Sequence, residues 1–158
     1  MQTQQQIKEA FERSAKALSL KPSLGLGSGV SAAKVTEGLT CEINEGNYKL
    51  IADMPASVGG NGGPTPGVYG RAALASCLAI GYKMFASKMN VPVKSIEVKV
   101  EADYNDGALF GTAADVPPGY TEVRYTVTIE SDADKNEIEN MLLEAEQHSP
   151  YLDVFSRG

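Results

Sequence analysis

The segment from Gly67 to Asn90 limits what this chain can fold into more than any other. Val68, Ala72, Ala75, Leu78, Ala79, Tyr82, Phe85, Ala86 and Met89 recur at helical spacing and surround most of the cylinder, and after Arg71 charge returns only at Lys83 and Lys88. A helix apolar nearly all round must be buried on several sides. With 158 residues the chain suits one domain and a sizeable core. Little is left over to cover such a helix completely, so the pattern predicts that a second copy of the chain covers part of it. The stretch without charge inside the helix, Ala72 to Tyr82, is far shorter than the roughly 20 apolar residues that span a bilayer. No transmembrane helix is expected.

Around this helix the chain alternates in period. Gln4 to Leu20 sets Ile7, Phe11, Ala15 and Leu18 at intervals of three and four, one apolar stripe on an N-terminal helix that Pro22 stops. The glycine- and serine-rich run Ser23 to Gly29 reads as a linker or extended arm. Leu39 to Ile43 and Tyr48 to Ala52 are strand-like and joined by Asn44-Glu-Gly-Asn, which suits a tight hairpin. Ser95 to Ala102 and Thr121 to Glu130 alternate apolar with polar residues, as strands with one wet face do. The long connection Tyr104 to Tyr120 carries three glycines and two prolines, and loops of that length in a domain are usually functional or mobile. A last helix opens near Asp134, which pairs with Glu137 as a cap, and runs to about His148 with Ile138, Met141, Leu142 and Ala145 on one face before Pro150.

Helix, hairpin, buried helix, hairpin, helix makes an α+β protein. The expected organisation is an N-terminal helix and arm over residues 1–22 and a single domain over residues 23–158. A formal charge of −6 and a pI near 4.8 argue against nucleic acid or anionic lipid as partners, because both are held by lysine and arginine. The start Met1-Gln-Thr-Gln-Gln-Gln lacks a basic segment followed by an apolar one, so the expected location is the cytoplasm. Two cysteines, Cys41 and Cys77, and one histidine, His148, are too few for a disulfide framework or a structural zinc site. Neither a metal nor a cofactor is expected.

Chemistry centres on Cys77. It lies about ten residues into the buried helix, with Ala73, Leu74 and Ile80 as turn neighbours. From the helix alone it reads first as a small apolar core residue and second as a nucleophile. The second role needs help, because the thiolate is the reactive form and a cation or dipole must favour it against apolar surroundings. Cys41 shares a strand face with Leu39 and Ile43 by parity and reads as core. His148 and Ser149 are neighbours in sequence, but adjacent residues on a helix point in different directions, so they read as a solvated helix end.

Gly62-Gly-Pro-Thr-Pro, followed by Arg71-Ala-Ala-Leu-Ala-Ser-Cys-Leu-Ala, resembles the signature of the OsmC/Ohr family, the osmotically inducible protein C and organic hydroperoxide resistance proteins. Val116-Pro-Pro-Gly-Tyr resembles the OsmC-like branch, and Ala145-Glu-Gln-His-Ser-Pro-Tyr-Leu-Asp resembles its second site. The resemblance covers roughly residues 34–158 and leaves out the N-terminal helix. It implies an OsmC-like fold, with two antiparallel hairpins or sheets packed on two central helices. It also implies an intertwined homodimer whose active sites span the interface. In that family the cysteine matching Cys77 attacks a hydroperoxide and becomes a sulfenic acid, and a second cysteine resolves it as a disulfide. An arginine held by a glutamate supports the thiolate.

The sequence departs from this pattern in three places. Ser149 stands before Pro150, where the resemblance places the second cysteine, and a hydroxyl cannot form a disulfide. The position of the glutamate is taken by Gly67. No arginine occurs between Arg13 and Arg71, and Lys49 is the one lysine late in the first hairpin. Arg71 precedes Cys77 by six positions, about 120° away around the helix, so it is not expected to reach the thiol of its own chain but can serve that of a partner.

Three readings follow. In the first, Cys77 reduces a hydroperoxide or another electrophile and an external thiol recycles it. In the second, a catalytically degenerate dimer keeps an apolar cavity for a small ligand. In the third, the N-terminal helix docks a protein.

Overall fold

The structure is a computed structural model and describes residues 2–157. These residues fall into two compact units, one running to Arg13 and resuming at Arg71, the other Ser14–Gly70.

The Ser14–Gly70 unit contains the second half of helix α1 (Gln4–Leu20) and three strands, β1 (Ala32–Val35), β2 (Cys41–Glu45) and β3 (Tyr48–Ala52). They form one antiparallel sheet in the order β1-β2-β3. The expected hairpin is present, with Gly46 at φ +54 in its turn, a conformation glycine adopts without steric cost. Strand β1 is an addition to the expected elements: Ala-Ala-Lys-Val is short and weakly strand-forming, and it is in a strand because β2 offers it an edge. From Glu12 onward the residues of α1 are exposed, Ala15 and Leu18 among them. That half of the expected apolar stripe is therefore uncovered by the described residues.

The other unit is built on α2 (Pro66–Met89), which begins in the first unit and continues into this one. It ends at Asn90, which takes the left-handed conformation (φ +58), while the Val91 N–H closes on the Ala86 carbonyl at 2.9 Å. Strands β4 (Ser95–Asp103) and β5 (Glu122–Glu130) pair antiparallel from Ser95↔Glu130 to Asp103↔Glu122. Between them the long connection contains the short helix α3 (Asp106–Leu109), capped by the Asn105 carboxamide. Helix α4 (Lys135–Glu146) opens where expected, with Asp134 accepting from the Glu137 N–H at 3.0 Å. A further helix, α5 (Pro150–Ser156), follows directly. The sequence marks Pro150 as the end of a helix; it also begins one, because proline after a serine N-cap suits the first helical turn.

The core gathers Leu74, Leu78, Tyr82 and Phe85 of α2 with Met141 and Ala145 of α4, against the inward residues of β4 and β5. Phe11 of α1 meets Phe85 edge-on, with ring centroids 5.5 Å apart. Burying each large apolar side chain contributes about 1.5–3 kcal/mol. One side of α2 is covered in this way. The opposite side is not, since Ile80 is 61% exposed and Met84 40%. The expected burial on several sides is therefore not achieved by the described residues of one chain. No helix among them is long and apolar enough to cross a membrane.

Candidate functional site

Cys77, expected within a buried helix, is only half-buried. It lies three residues after Leu74, about 60° around the helix from the buried stripe, on its flank. Met84, seven positions on, returns to within about 20° of the direction of Cys77. The thiol thus sits on the border between the packed side of α2 and its open side.

Ser149 is brought to this thiol from the far end of the unit. Its own N–H bonds the Glu146 carbonyl at 3.2 Å as α4 ends, and its extended backbone then makes it the N-cap of α5. The Ser149 hydroxyl oxygen accepts the Leu152 N–H at 3.4 Å and lies 3.8 Å from Cys77 Sγ. Ser149 is buried. Because a hydroxyl has one proton and two lone pairs, accepting from Leu152 leaves its proton available to the sulfur. Among the described residues, Ser149 is the polar partner of the thiol, and no lysine or arginine is hydrogen-bonded to it.

The end of α4 is fixed by a side-chain cluster that pattern reading missed. Glu146 Oε1 accepts the Tyr82 hydroxyl at 2.8 Å and the Tyr125 hydroxyl at 2.9 Å. Tyr82 is fully buried, and its burial, with the adjacent Glu146 carboxylate, pushes its phenol well above the ordinary tyrosine range. Tyr125 is shifted upward for the same reasons. A tyrosine on the packed side of an apolar helix signals such a cluster, since a buried phenol needs a partner. Its identity as Glu146 was not readable from spacing.

The other candidates have surroundings of their own. His148 is exposed, with Nδ1 against the Glu144 carbonyl at 2.9 Å and its ring 5.3 Å from that of Phe85. It is at a solvated helix end, as expected, whereas Ser149, expected there with it, is buried because it turns inward to cap α5. The Arg71 guanidinium donates to the Tyr120 hydroxyl at 3.4 Å, and the Tyr120 ring stacks on Phe155 of α5 at 6.3 Å. Cys41 is half-buried in β2, opposite Val35 and Ala52, and both cysteines are free. Lys49 is exposed on β3 and Gly67 lies in the first turn of α2. No cluster of His, Cys, Asp and Glu able to hold a metal occurs among the described residues.

The glycine-rich stretch before α2 is shaped by Asp53, which is buried in the Ser14–Gly70 unit. Its carboxylate accepts from Thr40 Oγ1 at 2.8 Å, from the Gly62 N–H at 2.9 Å and from the Met54 N–H at 2.7 Å. The Thr40 bond, then that from Gly62, holds its carboxyl below the usual range. The loop packs so closely that a Cβ on Gly60 would overlap the Met54 carbonyl oxygen.

The family model described as OsmC-like protein matches residues 59–158, from this loop through both helices that carry the Cys77–Ser149 pair. The chain belongs to the OsmC-like family. Its fold is shared with solved members. An OsmC-like protein from Mycoplasma pneumoniae superposes with a TM-score of 0.70 at 14% identity, over 82% of this chain and 88% of that one. The organic hydroperoxide resistance protein OsmC from Legionella pneumophila gives 0.60 at 21% identity, over 82% and 89%. The organic hydroperoxide resistance protein OhrB of Bacillus subtilis gives 0.53 at 18%, over 81% and 90%. Comparison with curated proteins returns no match. This OsmC-like chain therefore carries the fold of these proteins, with a serine 3.8 Å from its helix thiol.

Proposed function

We propose that this OsmC-like protein is a redox protein that works through one cysteine. Cys77 attacks the terminal oxygen of an organic hydroperoxide, forming an S–O bond as the O–O bond breaks. The alkoxide leaves as an alcohol on taking a proton. The sulfenic acid is then reduced by two equivalents of an external low-molecular-weight thiol, the first giving a mixed disulfide and water, the second releasing Cys77 and the disulfide of the reductant. The observation that carries this reading is the pairing of a half-buried Cys77 with a hydroxyl at 3.8 Å whose proton is free to face the sulfur. A hydroxyl proton facing the sulfur suits it as a nucleophile, and a serine in the place of a second cysteine leaves recycling to an external thiol.

The same reading includes a homodimer. Ile80 and Met84 are exposed on the side of α2 that borders Cys77, and a second copy laid over them removes apolar surface from water beside the thiol.

Treatment with cumene hydroperoxide in the presence of a sulfenic-acid trap, read by mass spectrometry with Cys77→Ser as control, tests the chemistry. The expected result is an adduct on Cys77. An unmodified Cys77 at excess peroxide overturns it.

A further inference from the structure

Two cross-links join the same two pieces of chain. Cys77 and Tyr82 lie five residues apart on α2, and Glu146 and Ser149 lie three apart where α4 gives way to α5. The Tyr82 hydroxyl bonds Glu146 at 2.8 Å, and Cys77 Sγ faces Ser149 Oγ at 3.8 Å. The contacts therefore close a ring, Cys77 to Tyr82 to Glu146 to Ser149 and back. Glu146 has a double hold within it, because its backbone carbonyl accepts the Ser149 N–H at 3.2 Å while its side chain is clasped by Tyr82 and by Tyr125 of β5.

We propose that Glu146 is a positioning residue: clasped by Tyr82 and Tyr125, it sets the end of α4 so that Ser149 stands against Cys77. This rests on the redox reading of the Cys77–Ser149 pair. Apart from the Tyr82 bond, α4 is held on α2 by the packing of Met141 and Ala145 and by a part-exposed ion pair between Lys88 and Glu144 at 3.2 Å, and neither is directional enough to fix rotation or slide at the last turn. Two phenols converging on one carboxylate oxygen do, since one donor comes from the helix bearing the thiol and the other from the sheet. The cluster faces away from the reacting sulfur: Tyr82 is about 140° around α2 from Cys77. Glu146 thus acts through Ser149 and touches no substrate.

The test replaces the hydroxyl by a thiol and uses disulfide equilibrium as a ruler of position. In a parent carrying Cys41→Ser and Ser149→Cys, the one partner for the introduced thiol within its own chain is Cys77, and non-reducing electrophoresis separates that disulfide from any formed between copies. The effective concentration of that pair is measured in glutathione redox buffers after alkylation. Glu146→Ala is expected to lower it at least tenfold, equivalent to about 30 mV. Glu146→Gln, which keeps an acceptor oxygen, is expected to stay within about threefold of the parent. The Tyr82→Phe, Tyr125→Phe double variant, which deletes two oxygen atoms and keeps both rings, is expected to fall like Glu146→Ala and serves if that variant does not fold. An effective concentration within twofold of the parent in a folded Glu146→Ala or double-Phe protein overturns the inference while leaving the pair intact. A parent in which Cys77 forms no disulfide with the introduced thiol overturns the reading of the pair itself, and the inference with it.

Discussion

Cys77 and Ser149, separated by 72 positions in sequence, meet with Sγ and Oγ 3.8 Å apart at the junction of one helix flank and the N-cap of another. The serine has two tasks there. It caps α5 through the Leu152 N–H, and its hydroxyl is placed so that its proton can face the sulfur. Alanine removes both and glycine removes both, but threonine keeps the hydroxyl. A hydrogen bond to a charged group contributes about 1.5–3 kcal/mol, and the long contact to sulfur belongs at the low end. Ser149→Ala is therefore expected to slow sulfenic-acid formation at Cys77 by about tenfold. It should also cost about 1 kcal/mol of stability from the lost cap. Ser149→Thr should recover most of the rate. Stopped-flow peroxide consumption at fixed pH, beside denaturant unfolding of each variant, separates the two effects.

The open side of α2 makes a second prediction. Ile80 is 61% exposed although it lies in the middle of a long apolar helix, and Met84 one turn on is 40% exposed. If a second copy covers them, a charge placed there must be desolvated on association. Ile80→Glu is expected to shift the protein from dimer to monomer at micromolar concentration in light scattering coupled to size exclusion. A wild-type protein that already runs as a monomer under those conditions removes the dimer from the proposed function.

Leu78 tests the opposite side of the same helix. Its side chain is 1% exposed and sits between Leu74 and Tyr82 in the core. Leu78→Ala leaves a cavity in addition to losing transfer energy, and is expected to cost about 2–5 kcal/mol in denaturant unfolding. Ile80→Ala, two positions away but outside the core, should cost far less in the monomer.

These contrasts show what the sequence could express. Helix α1 and the capping of α4 by Asp134 were legible because periodicity and caps are local. So was the hairpin β2–β3, which its turn residues specify. Strand β1 was not, since two alanines, a lysine and a valine carry no strand signal apart from the neighbour that pairs with them. The placement of Ser149 opposite Cys77 came from family resemblance, and the Glu146 clasp from neither source. The Cys77–Ser149 contact spans 72 positions and the Tyr82–Glu146 bond 64. Side-chain pairs at that separation depend on how α4 docks against α2, which no local pattern encodes. The half-burial of Cys77 was missed for a related reason: an apolar helix reads as buried everywhere, whereas the described residues cover only one of its sides.

Gly60 offers a sharp steric test of the loop ahead of α2. A Cβ there would overlap the Met54 carbonyl oxygen and approach Asp53 Oδ1 to 2.5 Å. The carbonyl is backbone and cannot swing aside, so the loop must move as a whole. Gly60→Ala is expected to destabilise the protein by more than about 1 kcal/mol. Gly27→Ala, where a Cβ meets nothing within 4 Å, should be close to neutral in the same unfolding assay.

Asp53 gives that loop a pH dependence with a definite sign. Its carboxylate accepts the Thr40 hydroxyl and the Gly62 and Met54 N–H groups, which depresses its folded pKa below the ordinary aspartate range. A group depressed on folding contributes stability that is fully present above its unfolded pKa and is lost as pH falls through the folded value. The Asp53 contribution is therefore constant from neutrality down to about pH 5 and declines below about pH 4. Asparagine keeps one acceptor oxygen but no charge, and presents an N–H₂ donor to groups that are themselves donors. Asp53→Asn is thus expected to be less stable than the parent at pH 7, and the gap should narrow progressively between about pH 4 and pH 2 as the parent carboxylate protonates. Denaturant unfolding of both proteins at about pH 7, 4 and 3 measures that gap. A gap of equal size at all three values would mean that the hydrogen bonds around Asp53 do not discriminate between its charged and neutral forms.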